Sequence, residues 1–174
     1  SLFALFKDYL LPEDFYIIGF SRRNLAHHQF HKHFESETAH DPLSRKASEG
    51  QRKWNDFTKH LLYQSGSFEE KKGYLELNNQ LLEIDKKMGA CVTRFFYLAT
   101  PPDHYETILD NLVGTKLSEG CGHETNSWTR LIIEKPFGKD LETARSLDKK
   151  LSEIFEEKQI FRVDHYLGKE TVQN

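Results

Sequence analysis

The sequence predicts an α/β fold, a parallel β-sheet with helices on both faces. Short apolar runs of strand length recur along the chain: FYIIGF at 15–20, VTRFFYLA at 92–99, RLIIE at 130–134 and IFRV at 160–163. Between them lie segments whose apolar residues return every three or four positions, the period of an amphipathic helix. Alternation of this kind builds a parallel sheet, because a parallel neighbour can be reached only by a crossover and a helix is the usual one.

The elements follow in order. Leu2, Phe3, Leu5, Phe6 and Tyr9 fall at helical spacing, and the pattern stops at Leu11-Pro12, so the chain opens in a helix ended by a turn. FYIIGF suits a buried parallel strand. Residues 36–50 are the most loop-like stretch. Residues 51–62, with Trp54, Phe57 and Leu61, and residues 74–88, with Leu77, Leu81, Leu82, Ile84 and Met88, read as helices joined by the polar GSFEEKKG. VTRFFYLA is closed by Pro101 and Pro102, and a helix follows over 103–112. After RLIIE, Leu147, Leu151 and Ile154 place a helix over 141–155 with one apolar face. No internal repeat or low-complexity stretch interrupts this order.

A chain of 174 residues suits one domain over residues 1–174. Hydrophobic residues make up 37% and charged ones 29%, the balance of a globular chain rather than a disordered one. A net charge of -3 is the wrong footprint for a nucleic-acid or anionic-membrane partner, and leaves small anions held by local basic groups. Cys91 and Cys121 form no CxxC pair and no disulfide framework, which suits a reducing cytoplasm. SLFALFKDYLLPEDF is broken by Lys7 and Asp8, unlike a signal peptide, and no stretch reaches the roughly 20 apolar residues of a membrane helix.

Three strand ends carry residues that need an explanation. Ser21-Arg22-Arg23 follows FYIIGF directly. In a dinucleotide fold a carboxylate at such a place holds the ribose 2'-hydroxyl of NAD, whereas arginine suits the 2'-phosphate of NADP. No acid stands here, which points to NADP, although an arginine pair after a strand is also ordinary in a solvated loop. EKPFG at 134–138 closes RLIIE. Lys135 there can reach a ligand beside an X-Pro bond that can be cis, and the bland alternative is a Pro-Gly turn with a surface lysine. The third is RVDHYLGKE at 162–170. Asp164, His165, Tyr166 and Lys169 are too polar for ordinary core, and on a helix His165 and Lys169 would share a face suited to a phosphate dianion. His27, His28, His31 and His33 cluster in HHQFHKHF, but without a matching ligand group a polar helix face is the reading and no metal is expected.

Taken together, LLPEDFYIIGFSRR, RFFYLATPPDHYE, RLIIEKPFGKDLETA and QIFRVDHYLGKETVQN resemble glucose-6-phosphate dehydrogenase along nearly the whole chain. RVDHYLGKE and EKPFG are the most specific parts. The resemblance implies a Rossmann-like NADP-binding domain in an enzyme that oxidises C1 of glucose 6-phosphate by hydride transfer to NADP. The product is 6-phosphogluconolactone, in the first oxidative step of the pentose phosphate pathway. It assigns Arg22 to the 2'-phosphate, Tyr105 to the coenzyme site, and Lys135 to the space between coenzyme and sugar. His165, Tyr166 and Lys169 go to the substrate phosphate, and Asp164 to the carboxylate that orients a catalytic histidine. It further implies a homo-oligomer, dimer or tetramer. The family's first strand and glycine-rich turn would precede Ser1, and the catalytic histidine and the substrate domain would follow Asn174, so the segment alone is expected to be inactive. A non-catalytic nucleotide-binding module is the alternative, and it has no need of a sugar-phosphate subsite. A different oxidoreductase on the same fold would lose the resemblance after Pro102, where it instead grows stronger.

Overall fold

The computed structural model describes residues 2–38, 48–120 and 129–164. The chain divides into two compact units, Ser1–Gly66 and Ser67–Asn174. The first contains α1 (Leu2–Lys7), β1 (Ile17–Ser21), α2 (His27–Thr38), α3 (Ser48–Thr58) and β2 (Leu61–Ser65). The two strands are parallel, with Ile17 opposite Leu61 and Ser21 opposite Ser65.

Aromatic rings make the core of this unit. Phe3 meets Trp54 edge to face at 4.9 Å, and the fully buried Phe57 lies 5.3 Å from the rings of both Phe3 and Phe6. Offset and edge-on contacts of this kind add to what burial alone contributes. His60 ties the entries of the two strands together. Its ring stacks on Phe15 at 4.2 Å, its Nδ1 lies 2.9 Å from the Phe15 carbonyl, and Ile17 N–H donates to the His60 carbonyl at 2.8 Å. Those contacts set the register, and a slip of one residue would turn every side chain to the other face.

Here the structure corrects the sequence reading. The helix expected over 51–62 ends at Thr58, and Leu61–Ser65 is a strand. Leu61 stands four residues after Phe57, so the helical period is unbroken on paper only. Lys59 N–H and His60 N–H donate to carbonyls three residues back, Asp56 and Phe57, which tightens and closes the helix. Pairing with β1 then takes over from local periodicity.

The second unit contains α4 (Lys71–Met88), β3 (Arg94–Leu98), α5 (Tyr105–Gly114), β4 (Thr129–Glu134), α6 (Leu141–Ile154) and β5 (Ile160–Val163). Its strands run parallel in the order β3-β4-β5. These four expected elements, three strands and the helix over 141–155, fall within a residue or two of their expected places. On the central strand Leu131 and Ile133 are buried, together with Ile108, Leu109 and Leu112 of α5 and Leu147 and Leu151 of α6. On the other face Phe95, Tyr97 and Phe161 are exposed, and the Arg130 guanidinium lies 5.6 Å over the Phe95 ring.

A buried charge pair joins α4 to β3. Gly89, at φ 65, ends α4 in the left-handed conformation that glycine adopts freely. The chain returns so that Asp85 accepts from Arg94 Nη2 at 2.6 Å and from Val92 N–H at 3.0 Å. The Arg94 side chain is 3% exposed, and among the described residues its Nε and Nη1 have no hydrogen-bond partner. Removing the carboxylate would strand a buried cation. Asp85→Ala is therefore expected to lower stability by about 3–5 kcal/mol in urea unfolding, whereas replacing both partners with apolar residues should cost much less. A loss below about 1 kcal/mol for the single substitution would show that the pair is incidental.

Candidate functional site

The carboxyl ends of β4 and β5 bring two of the expected site residues together. Lys135 directly follows β4, and its N–H donates to the Val163 carbonyl at 3.3 Å, extending the ladder one step beyond the strand. Asp164 directly follows β5. From these adjacent ends Lys135 Nζ meets Asp164 Oδ2 at 2.8 Å. The lysine side chain is 59% exposed. One of its three N–H bonds is directed at the carboxylate, which leaves the ammonium able to donate to a ligand. In parallel sheets ligands gather at this edge.

The turn that carries Lys135 is fastened from below. The Lys135-Pro136 bond is cis. Gly138 then passes so close to the start of α6 that a Cβ on it would lie 2.6 Å from Ala144 N and 2.7 Å from Thr143 Oγ1. Only glycine fits such an approach. Thr143 N–H donates to Asp140 Oδ1 at 2.8 Å and Asp140 N–H donates to Thr143 Oγ1 at 3.1 Å in a reciprocal cap, and Thr143 Oγ1 also accepts from Lys139 N–H at 2.9 Å. Lys139 Nζ reaches Asp103 at 2.7 Å and links this turn to the one after β3.

Tyr105 opens α5 and is 2% exposed. Its hydroxyl donates to the Glu134 carbonyl at 3.3 Å and lies 3.5 Å from the Leu98 carbonyl, so it bridges the last residues of β4 and β3. Burial pushes its pKa up against the smaller opposing effect of the Glu134 hydrogen bond, and the hydroxyl stays a donor at neutral pH.

Arg22 lies in the first unit, exposed, in the turn after β1. Its neighbours are held from β2. Arg23 N–H donates to Ser21 Oγ at 3.3 Å, Ser21 Oγ lies 2.7 Å from Tyr63 Oη, and the Tyr63 hydroxyl donates to the Arg23 carbonyl. Sequence reading missed Tyr63, because the helix expected over 51–62 took in the first two residues of its strand and left Tyr63 in no element. The positions expected to bind the sugar phosphate, His165, Tyr166 and Lys169, lie outside the described residues.

Among the described residues no group of three His, Cys, Asp or Glu side chains could hold a metal, and His31 Nε2 lies 2.9 Å from the Leu61 carbonyl. Cys91 is disulfide-bonded, a correction to the thiol expected of a reducing compartment. No helix among the described residues is long and apolar enough to cross a membrane.

Parallel strands flanked by helices, with a cation and a carboxylate at their carboxyl edge, are the architecture of the Rossmann-like class. The family described as glucose-6-phosphate dehydrogenase, NAD binding domain, matches residues 1–174, and the chain belongs to it. It is 39% identical to a glucose-6-phosphate 1-dehydrogenase of Chlamydia muridarum over the whole chain and 34% of that protein. With the enzyme of Caenorhabditis elegans the identity is 37%, over 31% of that protein. A solved glucose-6-phosphate dehydrogenase in complex with glucose-6-phosphate superposes on 99% of the chain and 34% of its own length, with TM-score 0.80 and 33% identity. The Mycobacterium avium enzyme superposes with TM-score 0.77 and 26% identity, over 96% of the chain and 32% of that structure. The chain thus spans about a third of the length of the relatives it matches.

The cap beneath the Lys135 turn has a pH signature. Hydrogen bonds from the Thr143 backbone and side chain hold the Asp140 carboxyl below the usual aspartate range. A depressed pKa means that the stability it adds is complete above the ordinary value near 4 and is lost as pH falls through the lowered one. The gap in thermal midpoint between the native protein and Asp140→Ala should be constant from neutral pH to about 5 and shrink on further acidification. A gap that widens in acid would contradict the assigned cap.

Proposed function

We propose that the intact protein is a glucose-6-phosphate dehydrogenase that uses NADP, with this chain supplying the coenzyme side of the site and the edge of the sugar site. The Lys135–Asp164 pair at neighbouring strand ends, in a chain of this family, carries the reading. When bound, NADP accepts the hydride that leaves C1 of the sugar, while the C1 hydroxyl proton passes to a general base and the ring becomes a lactone. Each residue has a place in this reaction. Arg22 pairs with the 2'-phosphate by charge-assisted hydrogen bonds, which arginine makes in a planar fork. Lys135 stands between coenzyme and sugar and holds the sugar's reacting end in place, with its own position kept by Asp164. Asp164 orients the histidine that takes the proton, as a carboxylate fixes the tautomer of an imidazole base. Tyr105 holds the coenzyme side of this edge. His165, Tyr166 and Lys169 grip the substrate phosphate. Donors on strand ends are well suited to such work, because a misplacement of about 1 Å can cost on the order of 100-fold in rate.

Lys135→Ala in the intact protein is expected to lower kcat/KM for NADP-dependent oxidation of glucose 6-phosphate by about 100-fold or more. Coenzyme binding with no reduction of NADP by the native protein, at any concentration of glucose 6-phosphate, would instead support a nucleotide-binding module without turnover.

A further inference from the structure

The corner that presents Arg22 contains a closed circuit of hydrogen bonds. A carbonyl can only accept, so the Tyr63 proton goes to a carbonyl, that of Arg23 in the short contact, with the Ser21 carbonyl farther away at 3.4 Å. With its one proton engaged, Tyr63 Oη must accept from Ser21 Oγ–H across their 2.7 Å contact. Ser21 Oγ in turn accepts from Arg23 N–H at 3.3 Å. The three bonds run in one sense round the backbone of Arg23, pinning both of its peptide groups, and such chains of bonds polarise one another. Arg22 is the residue between the two that the circuit holds.

Its anchor is rigid. Tyr63 lies on β2 directly opposite Gly19 of β1, and it is 8% exposed. The ring of Phe30, from α2, packs against the Tyr63 ring at 4.9 Å. That contact depends on Gly19, where a Cβ would lie 2.7 Å from Phe30 Cζ and 3.4 Å from Tyr63 Cδ2. Gly66 N–H donates to the Ser21 carbonyl at 2.9 Å and holds the start of the corner as well. The turn therefore has a fixed base even though Arg22 and Arg23 are exposed to solvent.

We propose that Tyr63 is a positioning residue for coenzyme choice: its hydroxyl, through Ser21 and Arg23, fixes the backbone from which Arg22 reaches the 2'-phosphate. This rests on the reading of Arg22 given above. A long side chain aimed from a loose turn must be ordered when the ligand binds, whereas one aimed from a fixed corner loses less freedom, and the difference is felt only by a ligand that Arg22 touches. NAD, which lacks the 2'-phosphate, is indifferent to it.

The test is a titration of the intact protein with NADP and with NAD, without sugar, in Tyr63→Phe, Ser21→Ala, Arg22→Ala and the Tyr63→Phe/Arg22→Ala double variant. Tyr63→Phe keeps the ring and its packing on Phe30 and removes only the hydroxyl. It should weaken NADP about 5–10-fold, the scale of one net hydrogen bond, and change NAD less than about twofold. Ser21→Ala opens the same circuit from the other side and should give the same pattern, while Ser21→Thr should restore it. In the double variant the Tyr63 change should add nothing to the loss caused by Arg22→Ala. Equal weakening of both coenzymes by Tyr63→Phe, or full additivity with Arg22→Ala, would overturn the proposal and leave the Arg22 reading intact. An NADP to NAD preference unmoved by Arg22→Ala would overturn both.

Discussion

In a parallel sheet every strand stops at the same edge, and the last backbone groups of each strand need partners that no hairpin supplies. A buried carbonyl left without one costs about 1–3 kcal/mol. Each unit of this chain answers with a tyrosine from a neighbouring element. Tyr63 of β2 donates to the Arg23 carbonyl just beyond β1, and Tyr105 of α5 donates to the Glu134 carbonyl at the end of β4. In both places a cationic residue adjoins the clasped peptide, Arg22 in one and Lys135 in the other. The bond that satisfies the strand end thus also holds the backbone beside a cation.

Close approach makes these clasps possible, and glycine makes the close approach possible. Gly19 lets Phe30 lie across β1 and brace Tyr63, and Gly138 lets the turn after β4 rest on the first residues of α6. Both sites fail on space rather than on backbone angle, since a Cβ at either would stand under 3.0 Å from its neighbours. Overpacking of that degree typically costs about 1–3 kcal/mol or moves the turn.

Two of the charge pairs in the second unit show how burial separates stability from chemistry. Arg94 and Asp85 are shielded, so the pair fastens α4 to β3 and neither partner can be spared. Lys135 and Asp164 meet at a similar distance but remain open to water, where an ion pair contributes about 0–1 kcal/mol. So weak a pair explains little of the fold.

Much of this was legible in the residues alone. The three strands of the second unit and α6 are specified by local period, which survives into the structure because nothing competes with it. Arg22, Lys135 and Asp164 could be marked because they follow the carboxyl ends of apolar strands, where ligands of parallel sheets gather, and the structure joins the last two across 29 residues. Tertiary contact decided the rest. Leu61 continues the helical period of Trp54 and Phe57, and only pairing with β1 turns it into a strand. Tyr63 lies 40 residues from Arg23 and Tyr105 lies 29 from Glu134, and no local pattern announces a hydroxyl whose partner is a distant carbonyl. Periodicity encodes which face a residue shows, so the sequence determined the elements and the charges at their ends. Which backbone groups those elements would clasp depends on how they pack, and that is settled only when the chain has folded.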